Sequence, residues 1–145
     1  MLRKLRERAY EGQGGFSLIE LLVVILIIGV LAAIALPAFL GQREKGQDSS
    51  AKSAARNLVS GMESYYATNK TYVGAATDDD VAKLGVLGNG NDQASIDAST
   101  ANSYTLVGHS ASGNQFTITK TGTGAAVTRT CTTTNKGACP SNGKW

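Results

Sequence analysis

A long stretch of the chain, from Phe16 to Leu40, carries a single charged side chain, the carboxylate of Glu20. As an α-helix rising about 1.5 Å per residue, this stretch exceeds the roughly 30 Å hydrocarbon core of a bilayer. It is apolar on all sides, so it belongs in lipid or in a bundle of similar helices. A carboxylate near mid-bilayer costs about 2.5 to 3.5 kcal/mol, and less toward an end, so we expect Glu20 to have a partner or a role.

The helical pattern continues beyond Leu40 but changes in character. Polar residues such as Lys52 and Glu63 occupy most faces of this second half. Apolar residues recur at spacings of three and four and predict one buried stripe: Ala51, Ala54, Ala55, Leu58, Val59, Met62, Tyr65 and Tyr66. We therefore predict one helix from about Phe16 to Thr68, apolar all round in its first half and amphipathic in its second.

The rest of the chain predicts a connection followed by a sheet. Residues 69–102 are rich in Gly, Asp, Asn, Ser and Ala, which predicts a surface connection with a short helix near residues 79–84. Apolar and polar residues then alternate, as in half-buried antiparallel strands, in three runs: Ser103–His109, Gln115–Thr121 and Ala125–Thr132. Glycine-containing turns at residues 112–114 and 122–124 separate these runs. The predicted fold class is α+β, with the helix across an antiparallel meander of three or four strands.

The residues before the apolar run form a specific motif. A basic leader containing Arg3, Lys4, Arg6 and Arg8 ends in Gly14-Gly15, Phe16 follows directly, and Glu20 is the fifth residue counted from Phe16. From about Arg3 to Tyr72 the chain resembles type IV pilins and the pseudopilins of type II secretion, whose precursors carry a class III signal. The resemblance implies that prepilin peptidase cuts between Gly15 and Phe16 and methylates the new amine of Phe16.

The same resemblance implies three parts of the chain. Residues 1–15 are a cleaved basic leader, and residues 16–40 are a protruding half-helix that spans the membrane and later lies in the filament core. Residues 41–145 are the globular head, in which the amphipathic half-helix packs on the sheet of the pilin fold. Cleavage removes four basic and two acidic side chains, so the remaining chain has ten basic and nine acidic side chains. The pI near 9.0 therefore owes much to the leader and is poor evidence for nucleic-acid binding.

The N-terminal segment is also compatible with a secretory signal peptide or with a plain signal anchor. In a secretory signal peptide, Ala33-Ile34-Ala35 would provide a small-residue cleavage site, but Glu20 would have no role. In a plain signal anchor, Ser17 and Glu20 would form a capping box that opens the helix. Neither of these two classes of segment requires the basic leader, the glycine pair and Phe16 in this order.

Gly29 and Pro37 lie within the apolar half-helix. Proline removes a backbone hydrogen bond and crowds the carbonyl of Ala33, so we predict a kink in this region. The two residues also resemble those that bracket a helix stretch which unwinds in assembled pili and lets the filament lengthen under load. A static kink is the alternative.

Cys131 and Cys139 are the two cysteines of the chain. In an exported domain such a pair forms a disulfide, whereas a metal site would require further Cys or His ligands nearby. The pair resembles the disulfide-closed C-terminal region of many type IV pilins, which forms an exposed surface of the filament. Major pseudopilins usually carry a calcium-binding loop in that region, so the cysteines favour a pilin.

No arrangement of residues in the sequence predicts catalysis. The sole histidine, His109, has no positioned acid or nucleophile in its motif, and Asp78-Asp79-Asp80 is typical of a solvated loop. We therefore predict no enzyme, no cofactor and no metal site.

The resemblance implies a structural subunit of an extracellular type IV pilus serving motility, adhesion or DNA uptake. The implied partners are copies of the chain in a helical homopolymer, prepilin peptidase, an inner-membrane platform protein, an assembly ATPase, and membrane lipid before assembly. A surface or DNA ligand is not identified. The precursor would cross the inner membrane once before the filament reaches the cell surface. The alternatives are a type II secretion pseudopilin in a periplasmic pseudopilus, and a monomeric membrane-anchored binding domain.

Overall fold

The computed structural model of the chain describes residues 15–145. The predicted leader residues Arg3, Lys4, Arg6, Arg8 and Gly14 lie outside this range. Within it, helix α1 is followed by a short 3-10 helix, helix α2 and four strands. Their bounds are α1 Leu18–Asn69, the 3-10 helix Ala75–Thr77, α2 Asp79–Ala82, β1 Gln93–Ser99, β2 Ser103–His109, β3 Gln115–Thr121 and β4 Thr128–Cys131. The predicted α+β class, with one long helix before an antiparallel sheet, is confirmed.

Helix α1 is continuous for 52 residues and begins and ends close to the predicted limits. The chain divides after Phe39 into two compact units, and α1 contributes residues to both. In the first unit, the large apolar side chains from Phe16 to Phe39 are exposed. Among the described helices, α1 is the one long and apolar enough to span a membrane.

In the second unit, residues 40–145, the amphipathic part of α1 packs on the sheet. The predicted stripe supplies buried residues that contact the inner face of the strands: Ala54, Ala55, Leu58 and Met62 of α1 with Tyr104, Leu106 and Ile118 of the sheet. Burying a large apolar side chain contributes roughly 1.5 to 3 kcal/mol, so this contact is the main source of head stability. Gly108 permits the close approach, because a Cβ there would overlap the carbonyl oxygen of Ala51.

The four strands form an antiparallel meander in the order β1-β2-β3-β4. Strands β2 and β3 coincide with two predicted runs, and the four residues predicted to face the core, Tyr104, Leu106, Phe116 and Ile118, are buried. In β2 the alternation ends at Leu106, because Val107 and Gly108 are buried as well. Gly113 and Gly122 have φ angles of 86° and 130°, which glycine adopts without steric cost.

The predicted surface connection over residues 69–102 is wrong in part, because strand β1 lies within it and Tyr72, Val81 and Ala94 are buried there. Strand β1 has the sequence QASIDAS, which contains one β-branched apolar residue and so has weak intrinsic strand preference. It forms because β2 offers it an antiparallel partner on both sides of a register shift between Ile96 and Ala98.

Strand β4 is shorter than the predicted run 125–132. Its ladder with β3 begins only at the pair Thr119 and Thr128. Gly122 and Gly124 both have positive φ, and the connection they start extends to Val127. The strand therefore has fewer residues than its composition predicted.

Candidate assembly site

The start of α1 carries the one charged group in the apolar segment. The Ser17 backbone N–H donates a hydrogen bond to Glu20 Oε2 at 2.7 Å, and the Glu20 N–H donates to Ser17 Oγ at 3.2 Å. These reciprocal bonds form a capping box, which satisfies two backbone donors at the helix start. Both side chains remain exposed, so the Glu20 carboxylate keeps acceptor capacity for another group.

The apolar segment offers a surface for packing against other helices. Phe16 is 86% exposed, and the large side chains that follow it are exposed on every face of the helix. A shallow groove runs beside Gly29, where the missing side chain leaves space; it is lined by Leu22, Ile25, Leu26, Gly29, Val30 and Ala33. Small residues of this kind let helix backbones approach closely in lipid.

Gly29 and Pro37 lie inside the continuous α1 helix. The helix therefore passes through both positions in the single chain. The unwinding implied for an assembled filament stays a prediction, since it concerns the polymer under load.

The buried carboxylate of Asp48 connects α1 to two distant segments. Its Oδ1 accepts hydrogen bonds from Ser110 Oγ at 2.7 Å and from Ser112 Oγ at 2.5 Å. Its Oδ2 accepts from Asn114 Nδ2 at 3.1 Å and from the Ala138 N–H at 2.7 Å. Asp48 is fully buried, so these four donors replace water around the carboxylate. The helix, the β2–β3 turn and the C-terminal loop are thereby joined at one point.

Hydrogen bonding keeps Asp48 ionised despite its burial. Burial is the largest single influence and by itself would raise the pKa, but the bonds from Ser112, the Ala138 N–H, Ser110 and Asn114 together lower the pKa below its ordinary value. Gly137 is required beside it: its φ is 58°, and a Cβ would overlap the Asp48 carboxylate.

A disulfide joins Cys131 to Cys139, with a Cα–Cα distance of 5.8 Å. It connects strand β4 to the loop that bonds Asp48 through Ala138. Closing so short a loop contributes roughly 2 to 3 kcal/mol in the chain-entropy model. The disulfide and Asp48 therefore hold the same C-terminal loop from two sides.

Trp145 covers the adjacent core. Its indole Nε1–H donates to the Thr130 carbonyl at 2.8 Å, and its ring contacts Phe116 edge-on with centroids 5.5 Å apart. Three cations surround the ring at 5.3 to 5.8 Å from its centroid: Lys52, Arg56 and Arg129. The C-terminal Trp145 is thus packed against the head, and basic side chains from α1 and β4 surround its ring.

A second polar group lies near the other end of the helix stripe. Lys120 Nζ is 2.8 Å from Glu63 Oε1, and the Tyr72 and Tyr104 hydroxyls donate to the same carboxylate at 3.1 Å. The sequence pattern placed Glu63 on an outer face, and this was wrong, because Glu63 is half-buried against the sheet. Burial, followed by the Glu63 charge, raises the pKa of Tyr104 well above its ordinary value, so this hydroxyl remains a donor.

The structure brings together some of the predicted residues and adds others. Phe16 lies two residues before α1, Glu20 lies in the first turn of α1, and the two cysteines are paired. Sequence reasoning missed Asp48, although a signal was present: Asp48 lies three residues before Ala51 and continues the buried stripe. An acid on the buried face of a helix predicts a set of donors, but the donors come from loops too distant in sequence to identify.

The remaining candidates have local structural partners. Asp78 caps α2 by accepting from the Asp80 and Val81 N–H groups at 3.0 and 3.1 Å. His109 Nε2 lies 3.0 Å from Ser95 Oγ on the neighbouring strand. Within residues 15–145, no group of three or more His, Cys, Asp or Glu side chains could hold a metal ion.

Comparison with known proteins agrees with this geometry. A family model described as "Type IV minor pilin ComP, DNA uptake sequence receptor" matches residues 37–135, more than half of the chain. The chain belongs to the type IV pilin family. A second model, described as "Prokaryotic N-terminal methylation motif", matches residues 12–36 of this pilin. Members of the family are structural proteins, and this pilin is not an enzyme.

Individual relatives cover different parts of the pilin. PilA4, the type IV wide pilus major component of Thermus thermophilus, is 30% identical over 87% of the chain and 96% of its own length. The fimbrial protein of Neisseria meningitidis serogroup B is 40% identical over 48% of the chain. Type II secretion system core protein G of Escherichia coli is 40% identical over 45% of the chain. The pilin matches 44% and 45% of the length of these last two relatives. No solved structure matches it.

Proposed function

We propose that this pilin is a structural subunit of an extracellular type IV pilus and polymerises through its N-terminal apolar helix. The observation that carries the proposal is the exposed apolar segment from Phe16 to Leu40 with Glu20 near its start. In lipid this surface is already solvated by apolar chains, so burial of apolar area does not drive subunits together. Outside the membrane, each large side chain withdrawn from water contributes roughly 1.5 to 3 kcal/mol. The extracted filament is therefore stable without covalent links.

Processing and transport follow from the same segment. Prepilin peptidase cleaves between Gly15 and Phe16 and methylates the new N-terminal amine. A platform protein and an ATPase extract the subunit from the inner membrane, because transfer between apolar media provides no driving force. The Glu20 carboxylate docks against the Phe16 amine of a neighbouring subunit, where the low dielectric strengthens their attraction. The mature protein is first a single-pass membrane protein and then part of a surface fibre.

The disulfide supports a pilin over a pseudopilin, although a secretion-system protein is among the relatives. It fastens the C-terminal loop that pseudopilins hold with calcium. A periplasmic pseudopilus is the alternative, and the location of the fibre separates the two. If the protein were a monomeric binding domain, no partner would compensate for the energetic cost of placing the Glu20 carboxylate in lipid.

The N-terminus of protein sheared from the cell surface tests the proposal. We expect N-terminal sequencing and intact mass to give a chain that begins with methylated Phe16 and contains one disulfide. A start at Leu36 would indicate a secreted soluble domain. A chain beginning at Met1 and confined to membranes would indicate a signal anchor, and either result would refute the filament subunit.

The family match favours DNA uptake among the uses of such a pilus, since the matching model is described as a DNA uptake sequence receptor. We expect deletion of the gene to abolish uptake of added duplex DNA, and plasmid expression to restore it. Counting surface pili in the same strain separates a minor subunit, whose loss leaves pili in place, from a major one. Undiminished uptake in the deletion strain would reject this role.

A further inference from the structure

A groove in the head lies between residues 60–69 of α1 and residues 78–84, the segment that carries α2. Its volume is about 390 Å³, which is within the range of small-molecule sites. Gly61 is buried in the groove, and a Cβ there would overlap the Leu84 side chain. Leu84 and the neighbouring Val81 therefore lie directly against the α1 backbone and give the groove an apolar part.

The α1 side of the groove carries a row of hydroxyl groups. Ser60, Ser64 and Thr68 recur at every fourth residue, which places them on one face of the helix. All three side chains are exposed and line the groove. Because a hydroxyl can both donate and accept a hydrogen bond, this row suits a ligand whose own groups do the same.

The opposite side carries two carboxylates that are held in place by local bonds. Asp78 Oδ1 accepts from the Asp80 and Val81 N–H groups at 3.0 and 3.1 Å. Asp80 Oδ1 accepts from Lys83 Nζ at 2.8 Å. The second oxygen of each carboxylate, Oδ2, takes no part in these bonds. Each Oδ2 can therefore accept a hydrogen bond from a ligand hydroxyl, whereas a phosphate or another anion would be repelled.

Tyr65 adds an aromatic ring to the α1 side of the groove. Its hydroxyl donates to the Val73 carbonyl at 2.9 Å, which fixes the orientation of the half-buried ring. Asn69 Nδ2 donates to the Tyr65 carbonyl at 3.1 Å, so the Asn69 amide oxygen is a further acceptor beside the ring. The groove thus combines a fixed apolar ring with hydroxyl, carboxylate and amide groups.

We propose that this groove binds a neutral saccharide of the size of a mono- or disaccharide. A sugar ring carries hydroxyls around its edge, which match the hydroxyl row and the two carboxylates. It also has C–H faces, which match Leu84 and the Tyr65 ring. The carboxylates disfavour an acidic sugar or a nucleotide, and Lys83 already occupies Asp80, which disfavours a polyamine. The groove lies within the head of a single chain, so this inference goes beyond the pilus function and does not depend on it.

A glycan array tests the proposal on the full chain in a detergent without a sugar headgroup. The probes are neutral oligosaccharides built from hexoses and N-acetylhexosamines, with sialylated oligosaccharides and immobilised spermidine beside them. We expect binding to a neutral oligosaccharide and competition by the corresponding free mono- or disaccharide. Binding to none of the neutral probes would overturn the inference, as would binding confined to the sialylated probes or to spermidine.

Two variants place the saccharide in the groove. Ser64→Trp fills the groove from an exposed helix position and should abolish detectable binding. S60A/S64A/T68V removes the hydroxyl row without filling the groove and should raise the Kd at least tenfold. The matched control S50A/S53A removes exposed serines of α1 outside the groove and should bind as the unmodified protein does. Unchanged binding in both groove variants would place the saccharide elsewhere on the head and refute the site.

A carboxylate variant tests the other side of the groove. Asp80→Asn replaces an exposed carboxylate by an amide and should raise the Kd roughly tenfold. Asp79→Asn makes the same change at the preceding residue, which does not line the groove, and should leave the Kd unchanged. Equal urea midpoints for the two variants show that both heads are folded. Equal loss of binding in both would indicate a general charge effect and refute the role of Asp80.

Discussion

Replacing Glu20 by glutamine should leave the precursor in the membrane and reduce surface pili below detection. The charge on Glu20 costs about 2.5 to 3.5 kcal/mol near mid-bilayer by insertion scales, so its removal does not impair insertion. In the proposed filament it leaves the Phe16 amine of the neighbouring subunit without a counter-charge in an apolar environment, where an unpaired charge is strongly unfavourable. Membrane fractionation and electron microscopy of surface fibres measure the two effects separately.

The glutamine variant also separates the two possible roles of Glu20. Glutamine can make the same capping-box bond to the Ser17 N–H, whereas alanine cannot. If Glu20 acts only as a cap, Glu20→Gln will form pili and Glu20→Ala will be impaired. If its charge is required, both will fail. Glu44→Ala removes a partly exposed acid from the same helix beyond the apolar segment and should assemble normally.

Replacing Asp48 by alanine should destabilise the head by about 3 kcal/mol or more. The change removes the shared acceptor of four donors, two of them on the buried residues Ser110 and Asn114. Each buried polar group left unpaired costs about 1 to 3 kcal/mol, and the cost is reduced where a donor keeps another acceptor or a loop relaxes toward water. Urea unfolding of the full chain in detergent, followed through the fluorescence of Trp145, gives the free energy of unfolding. Asp79→Asn removes an exposed carboxylate and should change stability by less than about 0.5 kcal/mol. Equal midpoints for Asp48→Ala and the unmodified protein would contradict an anchoring role.

The same carboxylate makes head stability depend on pH. Because the folded-state pKa of Asp48 is lowered, its contribution is fully present above the unfolded-state pKa of about 3.9 and is lost as the pH falls through the lower folded-state value. The pKa of Glu63 is also lowered: burial, its largest influence, acts upward but is outweighed by bonds from Lys120 and the two tyrosines. We expect acid to destabilise the head below about pH 4, and Asp48→Asn to lose only part of this dependence. An unchanged pH profile in Asp48→Asn would show that Glu63 carries the effect alone.

The elements predicted most accurately were those with strong local patterns. Strand β3 and the first half of β2 alternate apolar and polar residues at the period of a strand, and the stripe of α1 repeats at the period of a helix. Strand β1 lacks such a pattern, since its short polar residues gain strand geometry only by pairing with β2. The prediction for Val127 was wrong in the other direction. Valine favours a strand, but the glycine turn before it keeps Val127 outside β4.

The sequence alone determined the long helix, its apolar first half with the charge at Glu20, the two central strands and the family resemblance. These follow from periodicity, composition and spacing within short segments, where local physical preferences are sufficient. Only the tertiary structure decided that Asp48 joins the helix to the β2–β3 turn and the disulfide loop. It also decided that the hydroxyl row of α1 lines one groove together with Asp78 and Asp80. These arrangements depend on contacts between residues distant in the chain, and such contacts form only when the helix and the strands pack together.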